Sequence, residues 1–121
     1  MKSQEIRLID KKFQKELNAG IVSLVLLSVL SRSTGSMYGY QIAKLVEESH
    51  AGGNLIKLGT LYPVLRAMED TGLLLSEVEP SVSGPPRRYY RITADGRSTL
   101  QRWRVIWQHT SDMVEFHLKG G

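Results

Sequence analysis

Thr60, Tyr62 and Arg66 fall in one stretch, "GTLYPVLRAMEDTGLL" (59–74), and the adjacent arginines Arg87 and Arg88 open another, "RRYYRIT" (87–93). Groups of these types suit an acidic polymer. Thr and Tyr hydroxyls donate to phosphate oxygens, and an arginine fork binds a phosphate or a guanine edge. From Arg87 to Arg104 there are six arginines (87, 88, 91, 97, 102 and 104) against one acid, Asp95. Clustered cations are the footprint of a polyanion partner; a solvated strand and helix face would account for the same charges. Two tryptophans four apart, Trp103 and Trp107, form an aromatic stripe. Such a stripe serves as plain core, as a seam for a partner helix, or as a wall for a planar ligand.

Other chemistries find little in the chain. The histidines, His50, His109 and His117, lack metal-ligand spacing such as H-E-x-x-H. There is no cysteine, so disulfides and thiolate metal sites are excluded, which fits a reducing cytoplasm. No G-x-S-x-G elbow, phosphate-binding P-loop or G-x-G-x-x-G occurs. The expectation is therefore no enzyme, no cofactor and no metal.

The chain has 121 residues, enough for one domain, with 41% hydrophobic and 23% charged residues and a net charge of +4. The longest apolar run, "AGIVSLVLLSVL" (19–30), is shorter than the roughly 20 residues a bilayer crossing needs. The mixed-sign charges before it do not resemble a signal peptide. We expect a buried helix there and no membrane partner.

These groups need elements to hold them. Residues 1–18 read as a charged N-terminal arm or helix with Ile6, Leu8, Ile9 and Phe13 as its apolar points, and 19–31 as the central core helix. Ser36 would cap a second helix over 37–49, with Ile42, Leu45, Val46 and Ser49 inward and Gly52-Gly53 at its end. Residues 55–57 suit a short extended piece. Pro63 has no N–H for a residue four back, so Thr60 is the expected cap of the third helix, with Gly72 closing it. "LLLSEVE" (73–79) and 87–93 read as strands joined by a seven-residue tip, "PSVSGPP". Arg88, Tyr90 and Ile92 would share one strand face, and Arg87, Tyr89 and Arg91 the other. Thr93 would cap a long last helix, 94–118. Three helices and then a hairpin is the order of a winged helix-turn-helix: mainly α with a small β-hairpin (α+β), the third helix offered to the major groove of double-stranded DNA. The domain would span 19–93, with 94–121 as a C-terminal dimerisation helix. A protein-interaction module on the same fold, or a small aromatic-ligand-binding protein built around the tryptophans, would use the same elements.

"YGYQIAKLVEE" (38–48), "GTLYPVLRAMEDTGLL" (59–74) and "RRYYRITADGR" (87–97) together resemble the PadR family of bacterial and archaeal transcriptional regulators, over roughly residues 19–118. The resemblance implies a winged-helix homodimer in the cytoplasm, held by its last helix, that represses from a palindromic operator. It places Tyr38, Thr60, Tyr62 and Arg66 at DNA, with Arg87 and Arg88 as the wing cations. It also implies a small planar aromatic effector beside Trp107, near Trp103, as some members bind. Two departures stand out. Lys57-Leu58 occupy the place of a usual capping residue, and Lys57 would add a phosphate contact instead. Pro85 stands where an arginine is usual, leaving the wing tip one cation fewer.

Overall fold

A computed structural model describes residues 2–48 and 58–121. Within them the chain runs α1 (Lys2–Ser31), β1 (Met37–Tyr38), α2 (Gly39–Glu48), α3 (Leu58–Asp70), β2 (Leu74–Ser81), β3 (Gly84–Ile92) and α4 (Ala94–Leu118). The strands form one antiparallel sheet in the order β1-β3-β2.

The core is one cluster. Leu26, Leu27 and Leu30 of α1, Ile42 of α2, Leu61 and Leu65 of α3, and Leu74 of β2 are fully buried. Leu100 joins them from α4 and Tyr90 from β3. Burying a leucine removes its apolar surface from water for about 1.5–3 kcal/mol, so the cluster holds all four helices to the sheet.

Several elements differ from the sequence expectations. The arm over 1–18 and the helix over 19–31 are one continuous helix, α1. Lys, Glu, Gln and Arg in its first half are good helix formers, and nothing there breaks the ladder. Its segment Arg7–Ser31, mean hydropathy 1.4, is long and apolar enough by composition to cross a bilayer, unlike the shorter run read above. Its C-terminal part is nevertheless the core of this domain, with Val22, Leu26, Leu27, Val29 and Leu30 buried.

Ser36 does not cap α2. Residues 37–38 pair with β3, Met37 opposite Tyr90 and Tyr38 opposite Tyr89, so the helix begins two residues later than expected. Its N-terminus is held by Gln41, whose Oε1 accepts from the Tyr38 backbone N–H at 3.1 Å, which is half of a capping box. Leu45, expected inward, is exposed, while Ile42 and Val46 are buried. Ser49, Gly52-Gly53, the extended piece over 55–57 and Lys57 lie outside the described residues.

Thr60 is not the cap of α3 but lies inside it, and Pro63 is an interior proline. Without a proline N–H, the Gly59 carbonyl loses its intrahelical partner; Gly59 is exposed, so water can take that bond. The other end is as expected. Gly72 has φ +83°, Leu73 N–H donates to Met68 O at 2.9 Å, and Gly72 N–H donates to Glu69 O at 3.0 Å. This pair of bonds is a Schellman motif, closed by the apolar Leu73 and Met68.

The hairpin tip is two residues, Val82 and Ser83, not seven. Glu79 pairs with Arg87 and Ser81 with Gly84, so Pro80 stands opposite Pro85 and Pro86 together. That two-against-one count is a β-bulge. Three prolines collect at the one point of the ladder where no N–H is required.

Thr93 caps α4 as expected, its Oγ1 accepting from Gly96 N–H at 2.9 Å. The same hydroxyl lies 2.7 Å from Gly72 O and 3.1 Å from Leu73 O. Gly96 is buried, and an added Cβ would run into the Leu73 carbonyl.

Candidate nucleic-acid interface

The α3 helix is two-faced. Leu61, Leu65 and Met68 are buried, whereas Thr60, Tyr62 and Arg66 are exposed. The hydrophobic rhythm that seats the helix also turns these three side chains outward. Tyr62 is anchored as well as exposed. Its ring lies over Gly39 at the start of α2, where an added Cβ would come within 2.5 Å of Tyr62 Cε1.

Tyr38 is half-buried and makes an edge contact with Tyr89, centroids 5.5 Å apart at 65°. The Arg87 guanidinium lies 4.4 Å over its ring, a cation–π contact that keeps the charge on the surface. Tyr40 stacks beside Tyr38 at 6.5 Å, with Lys44 5.9 Å from the Tyr40 ring. Thus Tyr38 and Arg87 form one patch.

Arg88 belongs to the other strand face. Its Nη1 donates to Ser76 Oγ at 2.9 Å, and Ser76 Oγ donates to Glu69 Oε2 at 2.6 Å. Tyr90 lies in the same neighbourhood. Burial pushes its phenol above the ordinary value of 10.0; Arg88 and Arg66 pull the other way, and Glu69 and Tyr62 add to the rise. Arg66, Glu69, Tyr62 and Arg88 therefore share one electrostatic neighbourhood around a buried tyrosine.

The tryptophans lie elsewhere. Trp103 is half-buried against the core, and Trp107 is 45% exposed. Both line a groove of 520 Å³ between α1 and α4, with Leu17, Ile21, Leu24 and Ile106. Among the described residues no group of three or more His, Asp or Glu side chains could hold a metal ion.

Sequence reasoning did not single out Gly39, Glu69, Ser76 or Tyr89. Ser76 carried one signal: it is the small polar residue on the strand face that Leu74 buries.

Four helices with a three-stranded sheet, its hairpin of β2 and β3 forming a wing beside an outward-facing third helix, define a winged-helix protein. The profile of the "Transcriptional regulator PadR-like family" matches residues 26–102, and the chain belongs to that family of transcriptional regulators. A PadR family regulator from Eggerthella lenta DSM 2243 superposes with a TM-score of 0.83 at 31% identity, covering 98% of this chain and 99% of that one. A transcriptional regulator from Clostridium thermocellum gives 0.73 at 28% identity, over 83% of this chain and 92% of that one. The transcriptional regulator Rv3488 of Mycobacterium tuberculosis is 45% identical over 58 residues, which are 48% of this chain and 53% of that protein.

Proposed function

We propose that the protein is a cytoplasmic, sequence-specific DNA-binding repressor that acts as a homodimer on a palindromic operator. The observation that carries this reading is α3. Its inner face is locked into the core, and its outer face presents Thr60, Tyr62 and Arg66 next to the wing. Two such helices, related by a two-fold axis, would meet successive major grooves about 34–36 Å apart. Arg66 would read a base edge, Thr60, Tyr62 and Tyr38 would hold phosphates, and Arg87 would supply wing charge. Lys57 would add a further phosphate contact.

Dimerisation is supported by apolar side chains with no cover. Leu8, Ile9 and Phe13 of α1 and Ile106, Trp107 and Val114 of α4 are all exposed. Exposed apolar side chains on two helices suit a contact surface, and a second copy supplies matching ones. The 520 Å³ groove beside Trp103 and Trp107 supports a small planar aromatic effector, for which quenching of tryptophan fluorescence is the measurement.

Footprinting on the DNA upstream of the gene tests the main reading. An inverted repeat should be protected, and affinity should fall linearly with salt on a logarithmic plot. Arg66→Ala should cost about 1–3 kcal/mol of discrimination at one base pair of each half-site. Absent or salt-insensitive binding would favour a protein-interaction module on the same fold.

A further inference from the structure

The two wing arginines are adjacent, yet they are used differently. Arg87 lies over the Tyr38 ring, and among the described residues no hydrogen bond occupies its N–H groups. Arg88 is engaged. Ser76 sits opposite Tyr90 and Arg88 opposite Val78, so Arg88 reaches Ser76 diagonally, toward the foot of the wing and away from its tip. Ser76 then gives its one hydroxyl proton to Glu69 of α3 while accepting from Arg88. A hydroxyl has one proton and two lone pairs, and this chain of bonds uses the proton and one of the lone pairs. Glu69 and Ser76 are both half-buried, where hydrogen bonds to charged groups are stronger than at an open surface.

We propose that Ser76 is a positioning residue for DNA recognition: its hydroxyl joins Glu69 of α3 to the exposed Arg88 of the wing, fixing the angle between helix and wing and directing the Arg88 charge toward Glu69. This rests on the DNA-binding reading above. It revises the role that sequence gives Arg88, from phosphate contact to internal brace, and leaves Arg87 as the wing cation for phosphate. The angle matters because helix and wing meet different grooves. A wing free to swing would bind many sequences about equally, while one held at a fixed angle favours the duplex whose groove spacing matches.

The test compares full-length variants by fluorescence anisotropy across a potassium chloride series. One probe is a duplex selected from a randomised pool by the wild-type protein, and the other is the unselected pool. Arg87→Ala should lower the log–log salt slope by about one on both probes. Arg88→Ala should leave the slope at its wild-type value and weaken the selected duplex about tenfold more than the pool. Ser76→Ala should lower the selected-to-pool ratio as Arg88→Ala does, Ser76→Thr should restore wild-type discrimination, and the Ser76→Ala/Arg88→Ala pair should discriminate no worse than either single change. Glu69→Gln, which keeps an oxygen for Ser76 but removes the counter-charge, should leave the Arg88 charge uncompensated and steepen the slope by about one. The proposal is overturned if Arg88→Ala lowers the slope as Arg87→Ala does, if Ser76→Ala leaves the selected-to-pool ratio unchanged, or if Glu69→Gln leaves the slope unchanged. Wild-type binding that is absent or indifferent to salt overturns the DNA reading and this proposal together.

Discussion

Gly39 is a glycine because Tyr62 occupies the space its side chain would fill. A methyl group there would come within 2.5 Å of the ring of the tyrosine that α3 presents outward. Gly39→Ala should swing the exposed Tyr62 ring aside at little cost to stability, with DNA affinity falling further than the melting temperature alone would explain. Denaturant unfolding and anisotropy titration of the same variant separate the two effects. Tyr90 makes a second residue-scale prediction. Burial raises its folded pKa above the ordinary 10.0, so in alkali the unfolded chain releases this proton first. The stabilising contribution is complete below about pH 10 and is lost as pH rises through the folded value. Tyr90→Phe should flatten that alkaline decline in a urea-unfolding series. At this scale sequence alone was informative where a residue type has one strong use. The opposed faces of Arg87 and Arg88 followed from the strand period. The Ser76 bridge did not, because it joins side chains from three elements and no local pattern encodes their approach.

The elements show the same division between local and distant causes. The last helix was legible to the residue, since the Thr93 cap and the Gly72 closure depend on neighbours within a few positions. The start of α3 was misplaced. A cap at Thr60 would have spared a hydrogen bond, but the helix begins at Leu58, three residues before the position that cap implies, and leaves the Gly59 carbonyl to solvent. The hairpin tip was overestimated because a run of Pro, Ser and Gly suggests a loop, whereas a bulge lets the prolines stay in the strands. The joint between α3, β2 and α4 supplies a prediction at this scale. Thr93→Ala should cost about 1 kcal/mol as a lost cap, and somewhat more because the Gly72 and Leu73 carbonyls lose a partner. Gly96→Ala should cost more than Thr93→Ala, since its methyl meets backbone that cannot turn aside. Thermal melts of the two variants measured side by side check that order.

Over the whole molecule, the exposed apolar stripes of α1 and α4 dominate. Trp107→Asp should shift the protein from dimer to monomer in sedimentation velocity and reduce DNA affinity with it, because one half-site binds far more weakly than two joined. Phe13→Asp should do the same if the first half of α1 belongs to the seam. That half was read from sequence as an arm or helix set apart from the core helix, since its charges hide the continuity of α1. Thr93 joins the foot of α4 to the last turn of α3, through one hydroxyl that reaches Gly96 at 2.9 Å and Gly72 at 2.7 Å. Mechanically, this makes α4 a lever and the threonine its fulcrum. The 25-residue helix is about 37 Å long, so moving its far end by about 3 Å turns the joint by only about 5°. On the DNA-binding reading proposed above, that small rotation would be passed through the Thr93 joint to α3 and change its tilt against the duplex.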